Sequence, residues 1–258
     1  MKPQTSSVIL YEHPFNERIR TYLRLEQLFL RLGELLRRDS PIDHHYALST
    51  IFEIMDMGGR TDLKTDVLKD LEKQKHLLNG YRGNPAISDA ALDSIIVQLE
   101  KCFSGLSQLS GKIGQLLTED DWLMGIRSRM GIPGGTCAFD LPAYHAWQHL
   151  SLAVRQQDLQ RWMSPLLSLA EAVYLLLTLL RDSGTSQKIV VSAGKYEQML
   201  PQGRAFQLLR LRLDSKLGLT PEISCNRLMV AVRLMRQESD GRLHTSSDDA
   251  MVELTLCC

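Results

Sequence analysis

Apolar residues recur at the three- and four-residue spacing of amphipathic helices from residue 17 to about residue 182. The pattern predicts helices over residues 17–37, 43–57 and 63–79, and further helices as far as residue 182. Asp43 is the expected N-cap of the second helix because its carboxylate can accept a free amide of the first turn. The apolar positions of the first helix are Ile19, Tyr22, Leu23, Leu25, Leu28, Phe29, Leu32, Leu35 and Leu36.

The period changes to two after residue 186, where four short segments predict β-strands. They cover residues 187–193, 205–213, 228–235 and 251–256, and turn-rich segments separate them. In the second of them, leucines and arginines alternate, so one face belongs to a core and the other is polar and largely basic. The leucines are Leu209, Leu211 and Leu213, and the residues of the opposite face are Arg210, Arg212 and Asp214.

Residues 7–14 predict one more strand, which ends at Pro14 because proline cannot donate to a ladder. Its amides need partners, and the C-terminal strands are the candidates. We therefore expect an α+β protein with one small, mainly antiparallel sheet. A helical domain would cover residues 15–184, and a β domain would combine residues 1–14 with 185–258, with residues 131–142 as a link.

Composition narrows the function classes. The chain has 258 residues and a formal net charge of zero, which removes the basic excess of a typical nucleic-acid binder. Its five cysteines have no disulfide-framework spacing, and no signal peptide is expected, so a reducing cytoplasm is the expected location. The leucine-rich residues 165–180 carry Glu171 and fall short of the roughly 20 residues of a membrane span, which favours a buried helix.

One group of residues suggests a metal site. His145 and His149 lie one helical turn apart, and Cys137 is a third possible ligand, a combination that Zn²⁺ accepts. The zincin pattern requires glutamate directly after the first histidine, whereas position 146 is alanine. A metal-dependent hydrolase using these three residues is therefore an alternative function, and structural or surface histidines are the simpler interpretation.

Arginines on the predicted strands suggest a binding surface instead. Arg227 and Arg233 share one face of the period-two pattern over residues 227–236, with Met229, Ala231 and Met235 between and beside them. Guanidinium groups beside methionines suit an acidic peptide with an apolar anchor. A solvated sheet face is the competing interpretation, and nucleic-acid binding through the same arginines is a third.

Three separated segments of the chain look familiar, and they are residues 8–26 (VILYEHPFNERIRTYLRLE), 132–142 (IPGGTCAFDLP) and 253–258 (ELTLCC). Together they resemble the ZapD family, bacterial cell division proteins that bind FtsZ. The resemblance implies a helical domain plus a β domain, a symmetric homodimer and no enzymatic activity. It also implies a basic pocket that holds the C-terminal tail of FtsZ, and a cytoplasmic protein at the midcell division ring. No cofactor, metal, nucleic acid or membrane is expected.

The resemblance also indicates site residues. Arg233 matches a basic position of the family's pocket, whereas Met229 stands where a second basic residue is expected and Arg227 could substitute for it. Arg60 corresponds to a basic position after the second helix, with Lys64 as the alternative. Arg210 and Arg212 complete the expected tail-binding set, and Arg18 and Arg20 could add to it.

Overall fold

A computed structural model describes residues 8–60 and 62–258 of the chain. Ser7, which the sequence pattern included in the first strand, lies outside the described residues. The helices are α1 (Glu17–Leu36), α2 (Pro41–Gly58), α3 (Leu63–Asn79), α4 (Asp89–Gln108), α5 (Asp121–Met130), α6 (Pro142–Gln148), α7 (Leu152–Met163) and α8 (Leu167–Asp182). The strands are β1 (Val8–Pro14), β2 (Thr185–Val191), β3 (Lys195–Met199), β4 (Leu208–Asp214), β5 (Leu219–Cys225), β6 (Met229–Gln237), β7 (Leu243–Thr245) and β8 (Ala250–Cys257). The predicted α+β class is confirmed.

The chain forms two compact units. A β unit contains Met1–Arg20 and Leu177–Cys258, and a helical unit contains Thr21–Leu176. The boundaries fall within α1 and α8, so each of these two helices contributes residues to both units.

The β unit contains two antiparallel sheets. Sheet A has the order β1-β4-β8-β2, and sheet B has the order β3-β6-β5 with β7 also paired to β6. The prediction of a single sheet is wrong, because the apolar faces of β4 and β8 on one sheet and of β6 on the other need each other for burial. Buried residues of both sheets form one core: Val191, Leu200, Leu209, Leu211, Leu213, Leu219, Val230, Val232, Leu234, Ala250, Val252 and Leu254.

The N-terminal strand pairs with the C-terminal part of the chain, as its sequence predicted. β1 lies antiparallel to β4, with Val8 opposite Asp214 and Pro14 opposite Leu208. The alternation predicted for β4 is also confirmed, since its three odd-numbered leucines are buried while the arginines between them point away from the core.

The helical unit has a core of apolar helix faces and an aromatic cluster. Helix α2 begins at Pro41, and Ser40 caps it by accepting the Ile42 amide at 3.3 Å. The prediction of Asp43 as the cap is therefore wrong, because proline occupies the first helical position and the serine before it supplies the oxygen. The rings of Trp122 and Trp162 stack with centroids 5.2 Å apart, and Trp147 lies beside both.

One helical stretch has the length and composition of a membrane span. Within the part of the chain that the structure describes, Leu152–Asp182 reaches a mean hydropathy of 1.7, and 39% of its most apolar window is buried. The core helix of a soluble protein can have the same length and apolar composition, so this stretch is weak evidence for a membrane. In α8, the side chains of Leu169, Val173 and Leu176 are buried.

Candidate functional site

The outer face of sheet B carries the methionines and the arginine that the sequence analysis grouped together. In β6, Val230, Val232 and Leu234 are buried in the core. The alternate residues therefore point outward, and they are Met229, Ala231, Arg233 and Met235. The prediction that these four share a face is confirmed.

Strand pairing places further charged residues on either side of Arg233. Lys195 of β3 and Glu222 of β5 lie opposite it. The Arg233 Nη1 and Glu222 Oε2 atoms are 3.8 Å apart, and the two side chains are 63% and 62% exposed. An ion pair so open to water contributes about 0–1 kcal/mol, so the guanidinium is accessible to a stronger carboxylate partner.

The charges on this face are balanced. Glu197 of β3 lies opposite Ala231 and points to the same side as Lys195, so two cations and two carboxylates share the surface. Lys195, Glu197 and Glu222 come from strands on either side of β6 and were missed in the sequence analysis. Only the pairing register shows that they are neighbours of Arg233, and no local pattern contains that information.

Arg227 lies in the turn that leads into β6, not on the strand itself. The Asn226 side-chain oxygen accepts the amides of Leu228 and Met229 at 2.8 and 3.0 Å, which closes the turn. The alternation of β6 therefore does not extend to Arg227, and the prediction that it shares the strand face of Arg233 is wrong. The side chain of Arg227 is exposed and makes no ion pair within the described residues.

Apolar side chains lie exposed near the Arg227 turn. Met199, opposite Met229 at the end of β3, is 72% exposed, and Leu228 in the turn is 61% exposed. The Leu200 amide donates to the Leu228 carbonyl at 2.7 Å, which holds the end of β3 beside the turn. This end of sheet B thus combines exposed methionine and leucine with Arg227.

Arg20 adds positive charge to the same region of the β unit. Cys225, two residues before Arg227, has its thiol pKa raised to about 11 by burial, and the Arg20 charge opposes that shift. Burial also lowers the pKa of His13, and Arg20 lowers it further. The Arg20 side chain is about two-fifths exposed and lies 3.0 Å from Glu17.

Arg210 has a different environment on the outer face of sheet A. Its Nε donates to Glu12 Oε1 at 2.9 Å, and Arg181 holds the same carboxylate through two hydrogen bonds of 2.9 and 2.7 Å. The side chains of Arg210 and Glu12 are only 20% and 16% exposed. These contacts form a charged triad that joins β1, β4 and the end of α8.

Arg212 and Arg60 belong to other parts of the fold than sheet B. Arg212 is on sheet A and contacts Glu253 at 3.5 Å. Arg60 belongs to the helical unit, where it is exposed after the end of α2, and the next residue lies outside the described part of the chain. Lys64, the alternative to Arg60, donates to the Leu109 carbonyl at 2.5 Å. The five predicted arginines are therefore divided between both sheets, one turn and the helical unit.

The residues proposed for a metal site do not form one. The His145 and His149 rings are 4.5 Å apart, and His149 Nδ1 lies 2.8 Å from the His145 carbonyl oxygen. Within residues 8–60 and 62–258, no group of three or more histidine, cysteine, aspartate or glutamate side chains is arranged to hold a metal ion. Cys137 is thus not brought together with the two histidines as a ligand set.

Comparisons with known proteins agree on one family. A family model described as cell division protein ZapD matches residues 23–233. Proteins named cell division protein ZapD from Ralstonia pickettii (strain 12J) and Ralstonia nicotianae are each 50% identical over 251 residues, which covers 97% of this chain and 99% of each relative. The protein of that name from Cupriavidus pinatubonensis is equally similar, at 50% over the same length. The chain belongs to the ZapD family of cell division proteins.

Proposed function

We propose that this protein is a non-enzymatic cell division factor that binds the C-terminal tail of FtsZ and promotes association or bundling of FtsZ filaments. The observation that carries the proposal is family membership across nearly the full length of the chain. The protein would act in the cytoplasm at the midcell division ring. It would need no cofactor and would bind neither nucleic acid nor membrane.

The outer face of sheet B has chemistry that suits such a tail. Arg233 and Lys195 can bind carboxylates of the peptide, and Arg233 gives up only a weak contact with Glu222 in doing so. Met199, Met229 and Met235 can adapt to apolar residues of the tail because the thioether side chain is flexible and polarizable. Arg227 adds a further cation beyond the end of the strand.

Two tail-binding surfaces in one homodimer would let the protein link filaments. A C2 dimer presents the same surface twice, so each dimer can hold two tails. A polymer of FtsZ offers many tails at high local concentration, and a second contact by the same dimer is therefore favoured even if a single contact is weak. The proposed bundling follows from this bivalency.

The first experiment titrates the FtsZ tail peptide against the wild-type protein and a variant with Arg227→Glu and Arg233→Glu. We expect the variant to keep its fold and lose most of its affinity. A control variant with Arg37→Glu and Arg242→Glu carries the same change in charge on side chains that are 77% and 79% exposed. Equal affinity of both double variants would remove Arg227 and Arg233 from the site.

The second experiment tests the function itself by co-sedimentation with FtsZ polymers. We expect the wild-type protein to sediment with full-length FtsZ and to remain in solution with FtsZ that lacks its C-terminal tail. Sedimentation that is the same with and without the tail would overturn tail binding. Analytical ultracentrifugation that shows only monomer at micromolar concentration would overturn the bivalent mechanism.

A further inference from the structure

His44, in the first turn of α2, is a fully buried histidine with one unused ring nitrogen. Its side chain is 0% exposed, and its Nε2 lies 3.0 Å from the Arg38 carbonyl oxygen. A carbonyl can only accept, so Nε2 carries the proton and Nδ1 is bare in the neutral ring. Among the described residues, Nδ1 is buried without a hydrogen-bond partner.

Arg155 of α7 places a positive charge near the His44 ring. Only 5% of it is exposed, and its guanidinium donates at 2.8 Å to the carbonyl oxygens of both Asp39 and Gln148. It thereby holds the α1–α2 connection and the end of α6 beside the start of α2. Its charge opposes protonation of His44, whereas the carboxylates of Asp39 and Asp43 favour it.

His45 makes a second polar contact between α2 and α6. Its Nδ1 lies 2.8 Å from the hydroxyl of Tyr144, a side chain that is almost completely buried. Burial raises the pKa of the Tyr144 hydroxyl, which keeps its proton and can donate it to the unprotonated nitrogen. A protonated Nδ1 can only donate, so acidification breaks this hydrogen bond and the hydroxyl must turn to accept in its place.

We propose that His44 and His45 form an acid-sensitive latch in the helical unit, which holds the first turns of α2 against α6 and α7 and opens when the two rings are protonated. A protonated His44 would place an N–H group and a positive charge in a buried site where Nδ1 has no hydrogen-bond partner among the described residues and where Arg155 is already present. The neighbouring Trp147 ring of α6, with its centroid 6.5 Å from that of His44, provides no such acceptor.

The direction of the pH dependence follows from these contacts. Burial lowers the pKa of both His44 and His45 below the ordinary histidine value. The unfolded chain then binds more protons than the folded chain once the pH falls below about 6.5. The latch is therefore closed above that pH and is lost progressively as the pH falls towards the lowered values.

The test is amide hydrogen exchange of peptides from Pro41–Gly58 in the full chain, measured at about pH 7.5 and about pH 5.5 and corrected for intrinsic rates. In the wild type we expect acidification to increase exchange of the first turns of α2 by about tenfold, because protonation of the two rings favours the open state. The variant with His44→Gln and His45→Gln should lose most of this increase. His76→Gln, which removes an exposed histidine of α3, should retain it.

Equal acid sensitivity of the double variant and the wild type would overturn the proposal. If the double variant fails to fold, a second measurement tests the proposal. It follows the deuteration of each histidine ring of the wild-type protein as a function of pH. We expect the rings of His44 and His45 to titrate below the ordinary histidine value, because burial lowers the pKa of both. Titration of His44 and His45 at the ordinary histidine value would equally overturn the latch.

Discussion

Arg210 and Arg233 occupy equivalent positions in sequence and very different environments in the structure. Each points outward from a strand whose neighbouring positions are buried leucine or valine. Arg210 is held in a triad with Glu12 and Arg181 and is 20% exposed, whereas Arg233 is 63% exposed and 3.8 Å from its nearest carboxylate. A strand pattern therefore identifies the outward residues, while residues distant in sequence decide which of them can bind a partner.

We expect the largest change in the free energy of unfolding from a substitution of Glu12, the carboxylate partner of Arg210. Replacing Glu12 with Gln leaves the Arg181 and Arg210 guanidinium groups close together without the carboxylate between them. Because these side chains are mostly buried, we expect a loss of about 2 kcal/mol in the free energy of unfolding. Urea unfolding measures the change, and affinity for the FtsZ tail should stay at the wild-type value in the folded variant.

The matched control is Glu222→Gln, which removes the carboxylate partner of Arg233. Because both members of that pair are more than three-fifths exposed, unfolding should change by less than about 0.5 kcal/mol. Similar destabilisation by the two substitutions would show that the two arginines do not differ in the way that their burial indicates.

The next largest change is expected in the affinity for the tail peptide when Arg233 is replaced. Arg233→Glu should weaken binding of the tail peptide by about tenfold, because an accessible cation beside the methionines is replaced by a charge that repels acidic residues. Arg212→Glu makes the same change on sheet A, beside Glu253, and should alter affinity less than about twofold. Isothermal titration of both variants checks this, and a larger loss for Arg212→Glu would move the site to sheet A.

The sequence predicted the fold class and much of the β unit. The alternation of leucine and arginine in β4 identified its buried face, and the need of β1 for a partner predicted that it pairs with a C-terminal strand, which the structure shows to be β4. The division into two sheets was not predictable in the same way. Periodicity shows which residues share a face of a strand, and it does not show which strands pair with one another.

The candidate site was less predictable than the fold for the same physical reason. Met229, Ala231 and Met235 could be grouped with Arg233 because they belong to one strand. The Glu12 partner of Arg210 lies 198 residues away in sequence, and nothing near either residue indicates the contact. Local patterns therefore overestimated the number of accessible arginines on sheet A.

A smaller effect is expected at the turn that carries Arg227. Asn226→Ala removes the side-chain oxygen that accepts the Leu228 and Met229 amides, so we expect a loss of about 1 kcal/mol in the free energy of unfolding. The tail should bind about twofold more weakly, because a loosened turn costs more entropy to order on binding. Asn226→Asp keeps the acceptor and should unfold like the wild type. Equal destabilisation by both substitutions would mean that the turn does not depend on this oxygen.

The smallest effect tests whether Glu222 competes with the tail for Arg233. Glu222→Gln removes the competing carboxylate, and we expect affinity for the tail peptide to rise about twofold at low salt. Glu238→Gln changes the net charge equally at an exposed position, where the Glu238 carboxylate lies 3.8 Å from the His244 ring nitrogen. The gain of Glu222→Gln over this control should fade at high salt, since screening weakens exposed pairs. An equal gain in both variants would indicate a net-charge effect, and Arg233 would then bind the tail without first leaving Glu222.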